Sequence, residues 1–275
     1  NNFYKNVGYP ISLARGAYWL GVAYEKSGDE KLSKKFFNEG SKYLTTFYGQ
    51  LSYNKVKPFE EFVLKDDSKY SDEFEKKFNT NPLVKHVILL KELNKTSLSK
   101  DLIKHLAEIN IEKGSEVLAA RLATNVGRYD YAIQISKKAS YEQRFYNKYN
   151  YPIINTPSMI NGKSMPSPEI ILAITRQESE FDPKANSYAG AKGMMQLMTY
   201  TAKLVSKQMK VPYSKSRLTS DPEYNISLGT YYFNSLLNDY GEIYPFAIAA
   251  YNAGPKRVKY WRKINGDPSK NKIDY

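Results

Sequence analysis

Cysteine is absent from the 275 residues, which excludes disulfide staples, zinc fingers, iron–sulfur clusters and thiol nucleophiles. Histidine is nearly absent. The two present, His86 and His105, sit in Lys/Leu-rich stretches with no nucleophile on either flank, and they read as ordinary helix residues. No apolar run approaches the ~20 residues of a membrane span, so no transmembrane segment is expected. Asn1 is not an initiator methionine and no signal-peptide pattern follows it, which reads as an excised or processed piece.

Acidic residues are in the minority. Against 41 Lys and Arg stand 28 Asp and Glu, a formal net charge of +13. Such an excess suits a polyanionic partner. The basic residues are scattered, however, in short doublets such as Lys34-Lys35, Lys76-Lys77 and Lys137-Lys138. No zinc-finger, basic-zipper or RNA-recognition signature accompanies them, so nucleic acid is not the expected partner. A composition rich in Lys, Asn, Tyr and Ile also follows from an AT-rich genome without functional pressure.

The first half reads as helix after helix. A helical period runs from Ile11 through Tyr24-Glu25 and breaks at Lys26-Ser27-Gly28-Asp29. Asp29 then reads as the N-cap of a second helix through Leu32, Phe36, Phe37 and Tyr43. The pair resembles a tetratricopeptide-type hairpin, although Ala17 stands where such a repeat carries tryptophan and no second copy is evident. Further apolar-periodic stretches cover about 83–93, 98–111, 114–125 and 128–138, with breaks short enough for stacked antiparallel helices. The pattern opens in mid-repeat, so further repeats are expected upstream.

At Tyr151 the texture changes. Pro152, Pro157, Pro166 and Pro168 bracket a Ser/Asn/Gly-rich segment that no continuous helix can accommodate. This puts a domain boundary between 1–151 and 152–275. Beyond it are expected a strongly apolar helix at 169–181 and a Gly-rich turn at 187–193. Helices from about 192 and over 223–239 follow, with a Pro-containing loop at 211–222 between them, then an Ala-rich pair around 245–263. The fold class is all-α.

Within 169–181, Ile171, Ile174, Glu178 and Phe181 share one helix face, whereas Glu180 points away. A carboxyl in an apolar stripe holds its proton more tightly and suits a general acid. A structural glutamate satisfied by backbone or by Arg176 fits the periodicity equally well. Two glycines, Gly190 and Gly193, precede Met194-Met195-Gln196-Leu197-Met198, which reads as a helix presenting a polar Gln196. Downstream, Ala250-Tyr251-Asn252-Ala253-Gly254 places a hydroxyl and an amide just before a turn.

These residues carry a resemblance. Gln177-Glu178-Ser179, Gly190-x-x-Gly193-Met194-Met195-Gln196, Asp221-Pro222 with Asn225 and Gly229, and Ala250-Tyr251-Asn252-Ala253-Gly254 resemble the motifs of soluble lytic transglycosylases in order and spacing. The resemblance is strong over about 168–275. It is looser in the first half, through Tyr18-Trp19-Leu20-Gly21 and Thr46-Phe47-Tyr48-Gly49-Gln50. It implies a goose-lysozyme-like catalytic domain preceded by helical hairpins of a superhelix. Two departures stand out: Thr199-Tyr200 replaces the usual Pro-Gly, and the chain stops at Asp274-Tyr275, where the family continues with a further helical segment.

The implied activity is non-hydrolytic cleavage of the β-1,4 bond between N-acetylmuramic acid and N-acetylglucosamine, leaving 1,6-anhydromuramic acid ends. Most glycosidases use two carboxyls. Here Asp182 precedes Pro183 and Asp221 precedes Pro222, contexts that suit turn caps, so Glu178 alone is the candidate catalytic group. By resemblance it acts as acid and then as base. Ser187 and Gln196 match positions that hydrogen-bond the acetamido sugar, Met198 an apolar wall, Tyr251 the tyrosine beside the catalytic carboxyl, and Asn252 a loop holder. Gly190, Gly193 and Gly254 read as backbone devices, Arg176 and Asn225 as structural groups. No metal and no cofactor is implied. The expected partners are peptidoglycan glycan strands and other cell-wall enzymes, and the expected location is the periplasm or cell envelope of a bacterium. Two alternatives stay open: a hydrolytic muramidase of the lysozyme type, and a non-catalytic wall-binding scaffold.

Overall fold

The computed structural model describes residues 2–266. The chain forms two compact units. The first runs up to Gly127 and resumes over Tyr131–Asn150; the second comprises Arg128–Asp130 and the chain from Tyr151 onward.

The first unit is built from short helices: α1 (Asn2–Lys5), α2 (Pro10–Lys26), α3 (Glu30–Gly40), α4 (Phe47–Val56), α5 (Asp72–Asn79), α6 (Pro82–Glu92), α7 (Lys100–Glu108), α8 (Ser115–Asn125), α9 (Tyr129–Tyr141) and α10 (Asn147–Asn150). Pro10 opens α2, where a missing N–H costs nothing. Asp29 caps α3 as expected, its carboxylate accepting from Leu32 N at 3.0 Å. α3 ends at Gly40, so Tyr43 lies beyond it. Gly21 lets α2 approach α3 closely: a Cβ there would sit 2.7 Å from the Phe37 ring. A separate core gathers Val87, Ile103, Leu106, Val117 and Leu118 from α6, α7 and α8. α5 leaves no mark in the apolar periodicity, because charged residues fill five of its eight positions; Ser71 caps it and Phe78 alone is buried.

In the second unit, the Ser/Asn/Gly-rich segment folds as a small hairpin. β1 (Met159–Ile160) pairs antiparallel with β2 (Lys163–Ser164), Met159 opposite Ser164. Asn161 and Gly162 at its turn have φ of 51° and 73°, the pair of positive angles that a tight two-residue hairpin requires. Then follow α11 (Pro168–Ser179), α12 (Thr199–Gln208), α13 (Arg217–Ser220), α14 (Pro222–Asp239), α15 (Tyr244–Ala253) and α16 (Pro255–Asn265). Leu197, Ala202, Val205, Leu218, Tyr224 and Leu228 pack one core around α12 and α14. No helix among the described residues is long and apolar enough to cross a membrane.

Two expectations are corrected here. The helix expected to begin near 192 begins at Thr199, and residues 192–198 form a tight irregular loop. The helix expected to reach Phe181 ends at Ser179, because Glu180 and Phe181 both turn left-handed with φ of 53° and 65°. Phe181 is nonetheless buried. The Asp274-Tyr275 end, where the resemblance breaks off, lies outside the described residues.

Candidate active site

Ile171 and Ile174 of α11 are buried, and one turn after Ile174 the same face brings Glu178 to a half-buried position. Among the described residues, no cation pairs with Glu178 and no hydrogen bond holds its carboxyl. Scarcity of water around it therefore acts unopposed and pushes its pKa above the ordinary value of 4.5. Arg176, the alternative partner raised by the sequence, lies over the Tyr151 ring at 4.8 Å.

Glu178 opens onto a groove of about 440 Å³ between α11 and α15. Ile170, Ile174 and Gln177 form one wall, and Ile248, Tyr251 and Asn252 the other. Three of the singled-out residues thus meet there: Glu178, Tyr251 and Asn252. The Tyr251 hydroxyl donates to the Met195 carbonyl at 2.7 Å. Burial, followed by the nearby Glu178, raises its pKa well above 10, so it stays a neutral donor. Asn252 is exposed on the groove wall, and among the described residues its side chain makes no hydrogen bond that would hold a loop.

Ser187, Gln196 and Met198 stand on the loop between α11 and α12. Ser187 is exposed, its Oγ accepting from Ala191 N at 2.9 Å. Gln196 has φ of 46° and its Nε2 donates to Gly193 O at 2.9 Å and Ala185 O at 3.3 Å. Met198 is 45 % exposed immediately before α12.

This loop is held from three sides. Asn225, fully buried on α14, donates from Nδ2 to Lys192 O and Leu218 O, each at 3.0 Å, and accepts Met195 N at 2.8 Å. One amide so satisfies Met195 N and Leu218 O, and gives Lys192 O a second donor beside Leu197 N. Ser179 Oγ, next to Glu178, donates to Met194 O at 2.7 Å, and Tyr251 supplies the third anchor. Gly193 must be glycine: its φ is 73°, and a Cβ would fall 2.0 Å from Leu218 O. Gly229 likewise clears space for Met195, whose sulfur would lie 2.3 Å from an added Cβ.

The remaining carboxyls do structural work, as their contexts implied. Asp182 caps its turn by accepting Lys184 N at 2.9 Å. Asp221 caps α14 through Tyr224 N at 3.0 Å, and that bond, with help from Arg217, keeps its pKa below the usual 3.8. Sequence reasoning overlooked Ser179 as an anchor, because it closes the polar run Thr175-Arg176-Gln177-Glu178 and nothing local marks it out. It gave no groove-wall role to Gln177, although the Gln177-Glu178-Ser179 motif contained it, or to Ile248, which no motif marked. Among the described residues no group of His, Asp and Glu side chains could hold a metal ion.

A helix carrying one half-buried glutamate, packed beside α15 and a pinned irregular loop, defines a helical lysozyme-like domain. The fold of the 70 kDa soluble lytic transglycosylase of Escherichia coli superposes with a TM-score of 0.71 at 27% identity, over 91% of this chain and 40% of that one. Residues 156–274 match the family model of the transglycosylase SLT domain. The soluble lytic murein transglycosylase of Escherichia coli K12 is 37% identical over 154 residues, 54% of this chain and 23% of that protein. A putative soluble lytic murein transglycosylase of Haemophilus influenzae is 32% identical over 176 residues, 62% of this chain and 29% of that protein. The chain thus spans between a fifth and a third of the length of these curated relatives.

Proposed function

We propose that the chain is a bacterial peptidoglycan lytic transglycosylase, with residues 152–275 as its catalytic domain and 1–151 as a helical-repeat segment leading into it. It cuts the β-1,4 bond between N-acetylmuramic acid and N-acetylglucosamine in the periplasm or cell envelope. One observation carries the reading: a single half-buried glutamate, unpaired among the described residues and with a raised pKa, faces a groove in a domain that matches the SLT family model. Protonated Glu178 gives its proton to the glycosidic oxygen as the bond to C1 of the muramoyl residue breaks. The 2-acetamido group of that sugar stabilises C1, which explains how one carboxyl suffices where most glycosidases need two. The ionised carboxylate then takes the proton of the C6 hydroxyl as that oxygen attacks C1, closing the 1,6-anhydro ring and restoring the acid. Gln196 and Ser187 offer hydrogen bonds to the acetamido sugar and Met198 an apolar surface. Tyr251 acts by fixing Met195 and by facing Glu178 with a neutral hydroxyl.

Incubation with purified peptidoglycan and mass analysis of the released fragments tests this. The expected products lack a reducing end and are about 18 mass units lighter than hydrolysis products, because the acceptor hydroxyl is intramolecular. Fragments reducible by borohydride would reassign the chain to the hydrolytic muramidases. Binding without cleavage would make it a scaffold.

A further inference from the structure

The compact unit that holds Glu178 also contains three residues from far upstream, Arg128, Tyr129 and Asp130. They lie outside residues 156–274, which the SLT family model matches. Arg128 and Asp130 are 5 % and 2 % exposed, a burial that charges tolerate only when fully paired. Arg128 Nε donates to Asp130 Oδ1 at 2.8 Å, and a terminal guanidinium nitrogen donates to the other carboxylate oxygen. That same nitrogen lies 3.7 Å from Asp182 Oδ1. Beside this pair, the Tyr129 ring packs at 6.4 Å on the buried ring of Phe181.

What these contacts hold is the end of α11. Asp182 N donates to Ser179 O at 3.1 Å, and between them Glu180 and Phe181 are consecutive left-handed residues, neither of them glycine. Such backbone persists only where the surroundings over-determine it, and it gathers at functional sites. Two fixings follow Glu178 directly in the chain: Ser179 bonded to Met194, and Phe181-Asp182 held against Tyr129 and Arg128.

We infer that Arg128 and Tyr129 are positioning residues for the reaction: through Asp182 and Phe181 they hold the left-handed turn that closes α11 and so place the Glu178 carboxyl in its groove. The inference rests on Glu178 being the acid and base. The titratable group facing Glu178 from another element is the Tyr251 hydroxyl on α15; on α11 itself its neighbours are Arg176 and, just past the helix, Glu180.

Arg128→Ala, Tyr129→Ala and Asp182→Asn in the full chain test it. Asp182→Asn keeps the acceptor for Lys184 N while removing the charge that faces Arg128, so it decides the matter if Arg128→Ala does not fold. In each variant shown folded by circular dichroism, kcat on peptidoglycan should fall about tenfold or more with little change in KM, since small displacements of a reacting group are costly. Carboxyl NMR of Glu178 should show its titration moving down towards the ordinary glutamate value, because a loosened helix end admits water. Simple loss of a nearby cation would move it up. Folded variants that melt earlier yet keep wild-type kcat and wild-type Glu178 titration would overturn the inference and leave a structural ion pair. The titration is read without turnover, so it decides the positioning role even when peptidoglycan is left uncut, an outcome that overturns the proposed reaction instead.

Discussion

A carboxyl held where water is scarce makes the native state prefer its protonated form, and Glu178 is in that position. Its folded pKa lies above its unfolded value. The stability it contributes is therefore complete below the unfolded pKa and is lost as pH rises through the folded pKa. At pH 7 the ionised side chain burdens the fold. Glutamine does not ionise, so Glu178→Gln should melt at the same temperature or higher at pH 7, with a smaller advantage at pH 4, while losing turnover by several orders of magnitude. Thermal melts of both proteins at the two pH values, beside the activity assay, check this. A mutant clearly less stable at pH 7 would show an ionised, paired and structural glutamate. At this scale the sequence was legible where a residue's neighbours along the chain decide its role. Asp182 before Pro183 caps a turn and Asp221 before Pro222 a helix, local capping of the kind their contexts imply. Asn252 was less legible, because a side chain between small residues carries no record of whether its partners lie across a groove.

Among the elements, the loop over 192–198 shows most clearly how tertiary contacts override pattern. Met194, Met195, Leu197 and Met198 are spaced well enough for a helix, yet Gly193 and Gln196 take positive φ and the turn stays irregular. Helical hydrogen bonds are replaced by Asn225, thirty residues from Met195, which bonds three backbone groups at once. Asn225→Ala leaves Met195 N and Leu218 O without that partner, while Lys192 O keeps Leu197 N. At about 1 kcal/mol or more for each of these two orphaned groups, the unfolding free energy should fall by roughly 2 kcal/mol or more. Urea unfolding followed by circular dichroism measures this. Asn225→Asp should be no better, since it keeps the acceptor for Met195 N but points a second acceptor at the Lys192 and Leu218 carbonyls. Wild-type stability in either variant would mean that the loop holds its shape without Asn225.

For the whole molecule, the formal charge of +13 is a long-range property that no single contact explains. Peptidoglycan bears lactyl and peptide carboxylates, so a basic protein should collect it from solution by attraction that salt screens. The screening length falls from ~10 Å at 0.1 M to ~3 Å at 1 M. KM on intact peptidoglycan should therefore rise several-fold between 50 mM and 500 mM salt with kcat nearly constant, whereas short glycan fragments without peptide should respond less. Initial rates on both substrates across that series give the answer. A KM indifferent to salt would assign the basic excess to composition alone.

Much of this protein follows from residues close together in the chain. Helix periods, the caps at Asp29 and Asp221, the prolines that break helix between 152 and 168, and Glu178 in an apolar stripe are all short-range facts. They suffice for an all-α fold and for a candidate acid. Tertiary structure alone decided what depends on partners distant in sequence. The groove needs α11 beside α15, and the water-poor setting of Glu178 comes from that packing. Gln196 stands on a loop because Asn225 captured the backbone, and α11 stops at Ser179 where Phe181 buries against Tyr129. The physical reason is common to all of them. Local pattern reports which conformations a segment prefers, whereas burial and hydrogen-bond satisfaction are settled by whichever groups the fold brings within reach.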